Sequence, residues 1–184
     1  MVAILEMNYC SACGAPVALS IPADDNRPRH ICTVCGITHY LNPKLVVASL
    51  PVWEDKVLLC RRAIEPRYGL WTLPGGFMEN GESTADAAIR ETREEACARI
   101  EIIDFYAMYS LRYINQVHLI FRAQLLDLDF EPGIESLEVK LFSEAHIPWN
   151  EIAFRPVKYS LAHYFSERSS GQFKVHVESL APAI

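Results

Sequence analysis

Three glutamates in one short segment have the type and spacing to bind a divalent cation. Glu91, Glu94 and Glu95 follow Arg90 and are related by i, i+3 and i+4 spacing, so a helix would project their carboxylates from one face. Like charges at this spacing repel each other and disfavour the helix unless a positive charge lies among them. Such oxygen ligands suit Mg²⁺ or Mn²⁺, which also engage phosphates. The alternative interpretation is a solvated, salt-bridged helix face.

Four cysteines form a second candidate metal site. The pairs Cys10-x-x-Cys13 and Cys32-x-x-Cys35 are separated by 18 residues, a spacing that predicts a four-thiolate zinc site. A shell of four thiolates leaves no position open for water, so this zinc is expected to be structural. The competing interpretation is a redox pair. Two histidines flank the second pair and are expected at the surface: His30 and His39.

With the residues before it, the acidic segment resembles the motif of the Nudix hydrolases. That motif reads Gly, five residues, Glu, seven residues, Arg-Glu, an aliphatic residue, any residue, Glu-Glu, any residue, Gly and an aliphatic residue. The matching positions of this chain are Gly76, Glu82, Arg90, Glu91, Glu94 and Glu95. Three positions depart from the motif, because Thr92 replaces the first aliphatic residue, Cys97 the glycine and Ala98 the last aliphatic residue.

The resemblance implies a role for each matching carboxylate. Glu94 and Glu95 would be ligands of the catalytic Mg²⁺ or Mn²⁺, and Glu91 would be either a ligand or the general base. The carbonyl of Gly75 would add a further ligand. The chemistry implied is attack of water on a pyrophosphate bridge, with metal ions neutralising the charge that develops on its oxygens.

The resemblance also implies supporting residues and a further acid. Gly76, Glu82 and Arg90 would hold the preceding loop against the helix. In many members of the family another carboxylate comes from a loop outside the motif, and the candidates here are Glu135 and Glu138. The alternative for both is solvation at a loop or strand edge.

A four-cysteine ribbon before a Nudix body resembles two groups, the NADH pyrophosphatases and the ADP-ribose and FAD pyrophosphatases. Segments that look like the second group are residues 42–44, 60–62, 69–76, 114–117 and 135–139. Members that cleave NADH carry a Ser-Gln-Pro-Trp-Pro-Phe-Pro run after the motif, whereas residues 107–113 read Ala-Met-Tyr-Ser-Leu-Arg-Tyr. The resemblance therefore favours ADP-ribose or FAD with release of AMP. NADH pyrophosphatase, NAD-cap hydrolase and a non-catalytic nucleotide sensor remain alternatives.

Two arginines and several aromatic residues are candidate substrate contacts. Arg62 and Arg67 could hold phosphates. Aromatic rings could stack on adenine or isoalloxazine, and the candidates are Tyr68, Trp71, Phe77 and Tyr113. Packing in the core is the alternative for each of these rings.

Apolar patterning predicts the elements that position these residues. Two β-rich runs at residues 45–53 and 56–61 predict a hairpin. A helix is predicted over residues 83–98, with Ser83 or Thr84 as N-cap and the carboxylates opposite a packed stripe of Ala85, Ala88, Ile89, Thr92 and Ala96. Strands are expected at residues 102–109, 116–126 and 137–142, and a second helix at 156–168. The alternation of Phe173, Val175 and Val177 with polar residues predicts a last strand.

The elements fit an α/β (α+β) class, a Nudix-type α/β/α sandwich with a mixed sheet, preceded by the zinc ribbon. The expected domains are residues 1–41 and 42–184. The 184 residues, with 51% hydrophobic content and a formal net charge of -6, indicate a globular chain without a basic face for nucleic acid. Without a membrane span or signal sequence it is expected to be cytoplasmic. The resemblance implies a homodimer, and free Cys60 and Cys97 are expected to be small buried residues.

Overall fold

The computed structural model describes residues 7–182, and the chain divides into two compact units, Met1–Pro43 and Lys44–Ile184. The first unit contains a three-stranded antiparallel sheet in the order β1-β2-β3. Its strands are β1 Val17–Ser20, β2 Arg29–Cys32 and β3 Thr38–His39. The pair Cys10 and Cys13 precedes β1, and the pair Cys32 and Cys35 lies where β2 turns into β3.

The second unit is built on one mixed sheet of eight strands. The strands are β4 Lys44–Trp53, β5 Lys56–Arg62, β6 Trp71–Thr72, β7 Gly75–Phe77, β8 Ile100–Leu111, β9 Gln116–Leu125, β10 Ser136–Ser143 and β11 His176–Ser179. Their order is β10-β5-β4-β9-β8-β11, with β6 beside β5 and β7 beside β4. The pairs β4–β9 and β8–β11 are parallel and the other pairs are antiparallel.

Two helices cover opposite faces of this sheet. They are α1 Thr84–Ala96 and α2 Arg155–Glu167, and neither has the length and hydropathy to span a bilayer. In β4, Val47 packs with Ala87 and Ala88 of α1, whereas Ala48 belongs to the cluster that contains Leu161 of α2. Successive residues of a strand point to opposite faces, so the sheet lies between the helices. The predicted fold class is confirmed.

The start of α1 is defined by a capping box. Ser83 lies in extended backbone just before the helix, and its hydroxyl accepts a hydrogen bond from the amide of Asp86 at 3.2 Å. The carboxylate of Asp86 accepts one from the amide of Ser83, also at 3.2 Å. These reciprocal bonds satisfy two amides that have no partner within the helix. Ser83, one of the two predicted N-caps, is therefore the residue that caps α1.

The last strand differs from its prediction. It begins at His176, and Val175 and Val177 are 57% and 62% exposed instead of covered. His176 points inward because its Nε2 lies 3.0 Å from Oε1 of Glu167 and its ring packs edge-on against Tyr106. A polar side chain with a fixed partner thus occupies the covered side, which the alternation of valines does not reveal.

The end of α1 is an unusual left-handed cap. Cys97 has φ 50° and ψ 15°, and its amide donates to the carbonyl of Arg93 at 3.0 Å. A side chain at this conformation is strained, and glycine is the residue that helices normally place there. Cys97 is exposed, so the prediction that it is buried is wrong, whereas Cys60 is buried as expected.

We predict that Cys97→Gly raises the free energy of unfolding by about 1 kcal/mol. Glycine removes the strain of a Cβ in the left-handed conformation, and this gain exceeds the loss from the greater entropy that glycine gives the unfolded chain. The measurement is urea denaturation followed by circular dichroism. Cys97→Ala is the matched control, since it removes the thiol and keeps the Cβ. Equal stabilisation by both variants would show that the thiol, not the backbone, is the source of strain.

Candidate active site

The guanidinium of Arg90 joins three carboxylates and one carbonyl. It donates to both oxygens of Glu82, at 3.0 and 2.8 Å, through Nε and Nη2. Nη1 donates to Oε1 of Glu91 at 2.8 Å and to Oε2 of Glu94 at 3.0 Å. Nη2 also donates to the carbonyl of Phe77 at 3.1 Å. Arg90 thereby fastens the segment before α1 to the acidic face of the helix.

Glu82 is held as an anion in this arrangement. The hydrogen bonds from Arg90 lower the pKa of its carboxyl to about 2, and an amide bond from Glu79 at 2.7 Å acts in the same direction. Hydrogen bonds to the charged form of a carboxyl favour that form. Glu82 therefore serves as a permanent counter-charge for Arg90.

Two glycines allow strand β7 to lie directly against its neighbours. A Cβ on Gly76 would lie 2.6–2.7 Å from the carboxylate of Glu91. A Cβ on Gly75 would overlap the side chain of Ala48 and lie 2.5 Å from the carbonyl oxygen of Val47. The amide of Gly75 donates to Oε2 of Glu95 at 3.1 Å. The absence of side chains at these positions thus lets the loop contact the helix carboxylates.

The three helix carboxylates differ strongly in exposure. Glu95 is 6% exposed, Glu91 is largely buried, and the side chain of Glu94 is 59% exposed. Burial raises the pKa of Glu91, and it raises that of Glu95 to about 7. The prediction that all three face away from the packed stripe is wrong, because Glu95 lies in it while Ile89 is 39% exposed.

Of the two acids predicted outside the motif, Glu135 lies close to the helix carboxylates. Its charge contributes to the raised pKa of both Glu91 and Glu95. Its backbone carbonyl accepts a hydrogen bond from the amide of Ala63 at 2.8 Å. Glu138 instead lies 3.9 Å from Arg61, in a pair exposed to solvent. Glu135 is the stronger candidate.

The donor set fits a divalent cation. Burial raises the pKa of Glu91 and Glu95, the charge of Glu135 raises both further, and a cation among these carboxylates would remove that repulsion. Within residues 7–182, only the cysteine cluster already brings three or more such ligand atoms within 4.8 Å of one another. Glu94 accepts a hydrogen bond from Arg90, and its exposed side chain is accessible to an added ion.

The four cysteines of the first unit already have the geometry of a zinc site. The Sγ atoms lie 3.7 Å apart for Cys10 and Cys35, 3.4 Å for Cys13 and Cys32, and 3.6 Å for Cys13 and Cys35. Tetrahedral zinc with bonds of about 2.3 Å requires sulfur separations of about 3.8 Å. The sulfurs therefore need to move only slightly to bind the ion.

Backbone amides and one histidine surround these sulfurs. The amides of Val34 and Cys35 donate to Sγ of Cys32 at 3.4 and 3.3 Å. Nε2 of His39 lies 3.3 Å from Sγ of Cys10. The sequence placed His39 at the surface, but its side chain is half-buried and contacts the cluster. Groups that contact metal ligands in this way orient them and tune the site.

Two of the proposed substrate contacts are part of the protein interior. Trp71 is 6% exposed and packs edge-on against Phe142, with ring centroids 4.8 Å apart. Arg62 is 8% exposed, and its Nε donates to the carbonyl of Pro66 at 2.9 Å. Trp71 therefore packs in the core and Arg62 fastens the loop that follows β5, and both stay predictions as substrate contacts.

The other proposed contacts are open to solvent. Phe77 is 50% exposed with Nζ of Lys44 5.1 Å from its ring centroid, and Tyr68 and Tyr113 are 56% and 42% exposed. Arg67 is exposed and has a left-handed backbone, with φ 71°. These four side chains stay predictions as substrate contacts.

A buried hydroxyl pair accounts for one departure from the motif. Thr92 is fully buried, and its Oγ1 lies 2.6 Å from Oγ of Ser49 in β4. Its hydroxyl also donates to the carbonyl of Ala88 at 2.7 Å. The threonine therefore packs where the motif has an aliphatic residue, because the facing strand supplies a partner for its hydroxyl. Sequence spacing does not reveal this pair, since its members are far apart in the chain.

Two family models match most of this chain. Residues 8–41 match the model of a zinc ribbon described as Nudix N-terminal, and residues 43–166 match the model described as the NUDIX domain. A crystal structure of a NUDIX hydrolase from Nitrosomonas europaea superposes with a TM-score of 0.89 and is 56% identical. The match covers 95% of this chain and 100% of that chain.

Curated relatives are more distant. The chain is 27% identical over 181 residues to the NAD-capped RNA hydrolase NudC of Pseudomonas fluorescens, a match covering 96% of this chain and 61% of that protein. It is 26% identical over 113 residues to the ADP-ribose pyrophosphatase of Methanocaldococcus jannaschii, covering 59% of this chain and 67% of that protein. The chain spans 61% and 56% of the length of the NudC proteins of Pseudomonas fluorescens and Stutzerimonas stutzeri.

We predict that Cys13→Ser lowers the zinc content from about one ion to near zero per chain, because a four-thiolate site loses most of its affinity with one ligand. Elemental analysis of the purified protein measures the zinc content, and the NMR signals of residues 7–43 in the full chain report the folding of the first unit. Cys97→Ala is the control, since Cys97 is exposed and lies outside the cluster. A Cys13→Ser protein that retains stoichiometric zinc would contradict this assignment.

We predict that Arg90→Lys lowers the free energy of unfolding by about 2 kcal/mol, because lysine keeps the charge but cannot reach three carboxylates with one planar fork. Chemical denaturation measures the effect. Arg93→Lys on the exposed side of the same helix is the control and should change stability by less than about 0.5 kcal/mol. Equal effects of the two substitutions would refute the special role of Arg90.

Proposed function

Because the chain belongs to the Nudix family, we propose that it hydrolyses the pyrophosphate bond of a nucleoside diphosphate derivative, with ADP-ribose or FAD as substrate and AMP as one product. The observation that carries the proposal is the group of carboxylates on and beside α1. Glu91, Glu94 and Glu95 lie on one helix, Arg90 ties that helix to β7, and Glu135 faces the same region from a second segment.

The residues of the site have different proposed roles in cleavage. A divalent cation, when bound, neutralises charge on the phosphate oxygens and lowers the pKa of its water. Glu95 is fixed by the amide of Gly75 and gives a rigid anchor, while exposed Glu94 can move from Arg90 toward the ion. The candidates to accept the proton of the attacking water are Glu91 and Glu135. Neither Glu82 nor Arg90 takes part in proton transfer, because each neutralises the other.

The segment after the motif supports ADP-ribose or FAD over NADH. Residues 107–111 complete strand β8, with Ala107, Tyr109 and Leu111 buried in the core between sheet and α2. This strand is hydrogen-bonded to β9 on one side and β11 on the other. Residues 107–113 contain no proline, so the proline-rich run of NADH-cleaving members has no counterpart in this strand.

A second candidate is the NAD cap of RNA. It is favoured by the name of the curated relatives, NAD-capped RNA hydrolase, in a match that covers 96% of this chain. The formal net charge of -6 opposes it, because RNA binding normally requires a basic surface. The same carboxylates could hydrolyse the pyrophosphate bond of either substrate, so the products released distinguish ADP-ribose or FAD from the NAD cap.

The homodimer that the resemblance implies stays a prediction.

We predict that the protein with Mg²⁺ or Mn²⁺ releases AMP from ADP-ribose or FAD, and that Glu94→Gln lowers this rate by a factor of about 10³ or more. The measurement is chromatography of the products from a panel of ADP-ribose, FAD, NADH and NAD-capped RNA. Glu101→Gln, at an exposed position of β8, is the control for loss of a glutamate. Tight binding of ADP-ribose without AMP release would instead support a nucleotide sensor.

A further inference from the structure

The segment between β9 and β10 is fastened to the last turn of α1 through backbone atoms. The amide of Glu131 donates to the carbonyl of Ala96 at 3.0 Å, and the amide of Gly133 donates to the carbonyl of Glu95 at 3.0 Å. The last carbonyls of a helix have no partner within it, so these two bonds complete the helix end. The segment is therefore positioned by the same helix that carries the acidic motif.

Gly133 is required at this position by steric contact. A Cβ there would overlap the carbonyl oxygen of Glu94 and lie 2.8 Å from its carbonyl carbon and 3.1 Å from that of Glu95. These are backbone atoms of a hydrogen-bonded helix, so they cannot move aside as a flexible side chain could. Any side chain at position 133 must push the segment away from α1.

Glu135 follows two residues later and is held from the opposite side as well. The amide of Ser136 donates to the carbonyl of Gly133 at 3.0 Å, which closes a turn around Glu135. The carbonyl of Glu135 accepts from Ala63, and Ser136 continues into the ladder between β10 and β5 opposite Arg62. The backbone of Glu135 is thus fixed between α1 and β5 before any substrate binds.

We propose that Gly133 is a positioning residue for Glu135, and that its backbone contact with Glu94 sets the distance of the Glu135 carboxylate from the acidic face of α1. This inference rests on the proposed function, because it assigns Glu135 to the cleavage site. It implies that the segment is preorganised and does not need to close over the substrate. Preorganised groups contribute more to catalysis than groups that must be ordered during the reaction.

A double-mutant cycle on the full chain tests this proposal. Gly133→Ala should lower kcat for AMP release about as much as Glu135→Gln does, with KM changed by less than about threefold, because the carboxylate is displaced while the rest of the site remains. The double variant should then be no slower than Glu135→Gln alone, since Gly133 acts through Glu135. Full additivity of the two losses, or a wild-type kcat for Gly133→Ala, would overturn the proposal.

Two further variants separate positioning from general destabilisation. Gly171→Ala places a Cβ at φ 66° with no atom within 4 Å, so it strains the backbone after α2 and should leave kcat unchanged. Insertion of one glycine after Gly133 leaves Gly133 without a Cβ but displaces Glu135, and should lower kcat as Gly133→Ala does. An inserted variant with wild-type kcat would contradict the proposal even if Gly133→Ala failed to fold.

A measurement without catalysis distinguishes failure of this proposal from failure of the proposed function. Amide hydrogen exchange should show Glu131 and Gly133 protected to the same degree as the last turn of α1 in the wild type, and both exposed in Gly133→Ala. If the wild type released no AMP, the proposed function would fail while this protection was still measured. Fast exchange of both amides in the wild type would refute the preorganised segment itself.

Discussion

The site depends on one positive charge placed among carboxylates that would otherwise repel one another. The planar guanidinium of Arg90 reaches Glu82, Glu91 and Glu94 at once, which a flexible ammonium group could not do. Burial is the main reason that the pKa of Glu95 is raised, and the charges of Glu91 and Glu135 raise it further. A cation bound among these carboxylates would remove that repulsion, so the site favours a further positive charge.

The glycines and the glutamates of the motif depend on each other sterically as well as chemically. Strand β7 lies so close to α1 that Gly76 leaves no room between itself and the carboxylate of Glu91. The same approach lets the amide of Gly75 bond to Glu95, which would otherwise be a buried carboxylate without a donor. Glycine at these positions thus decides how deep the carboxylates can lie. Depth in turn sets which of them is a fixed anchor and which can move.

The parts of the site that sequence could predict are local in the chain. The charges of Arg90, Glu91 and Glu94 lie within one helical turn or so, and their spacing alone indicates a shared face. Burial depends instead on which strand packs against the helix, so periodicity assigned Glu95 to solvent and Ile89 to the core, the reverse of the structure. His176 was misplaced for the same reason, since Glu167 becomes its neighbour only on folding. The sequence left Trp71 between core packing and a substrate contact, because its neighbour Phe142 is distant in the chain.

The departures from the motif also show how tertiary contacts replace local ones. At the end of α1, where glycine would adopt the left-handed conformation without strain, Cys97 adopts it with strain. The carbonyls of Glu95 and Ala96 accept hydrogen bonds from amides of the segment that leads to Glu135. The helix end therefore depends on a distant part of the chain for its hydrogen bonds. Because Gly133 makes that contact with the backbone of Glu94 and Glu95, the helix that carries the candidate ligands also locates the acid opposite them. The same contacts therefore determine both the stability of the end of α1 and the position of Glu135 relative to the helix carboxylates.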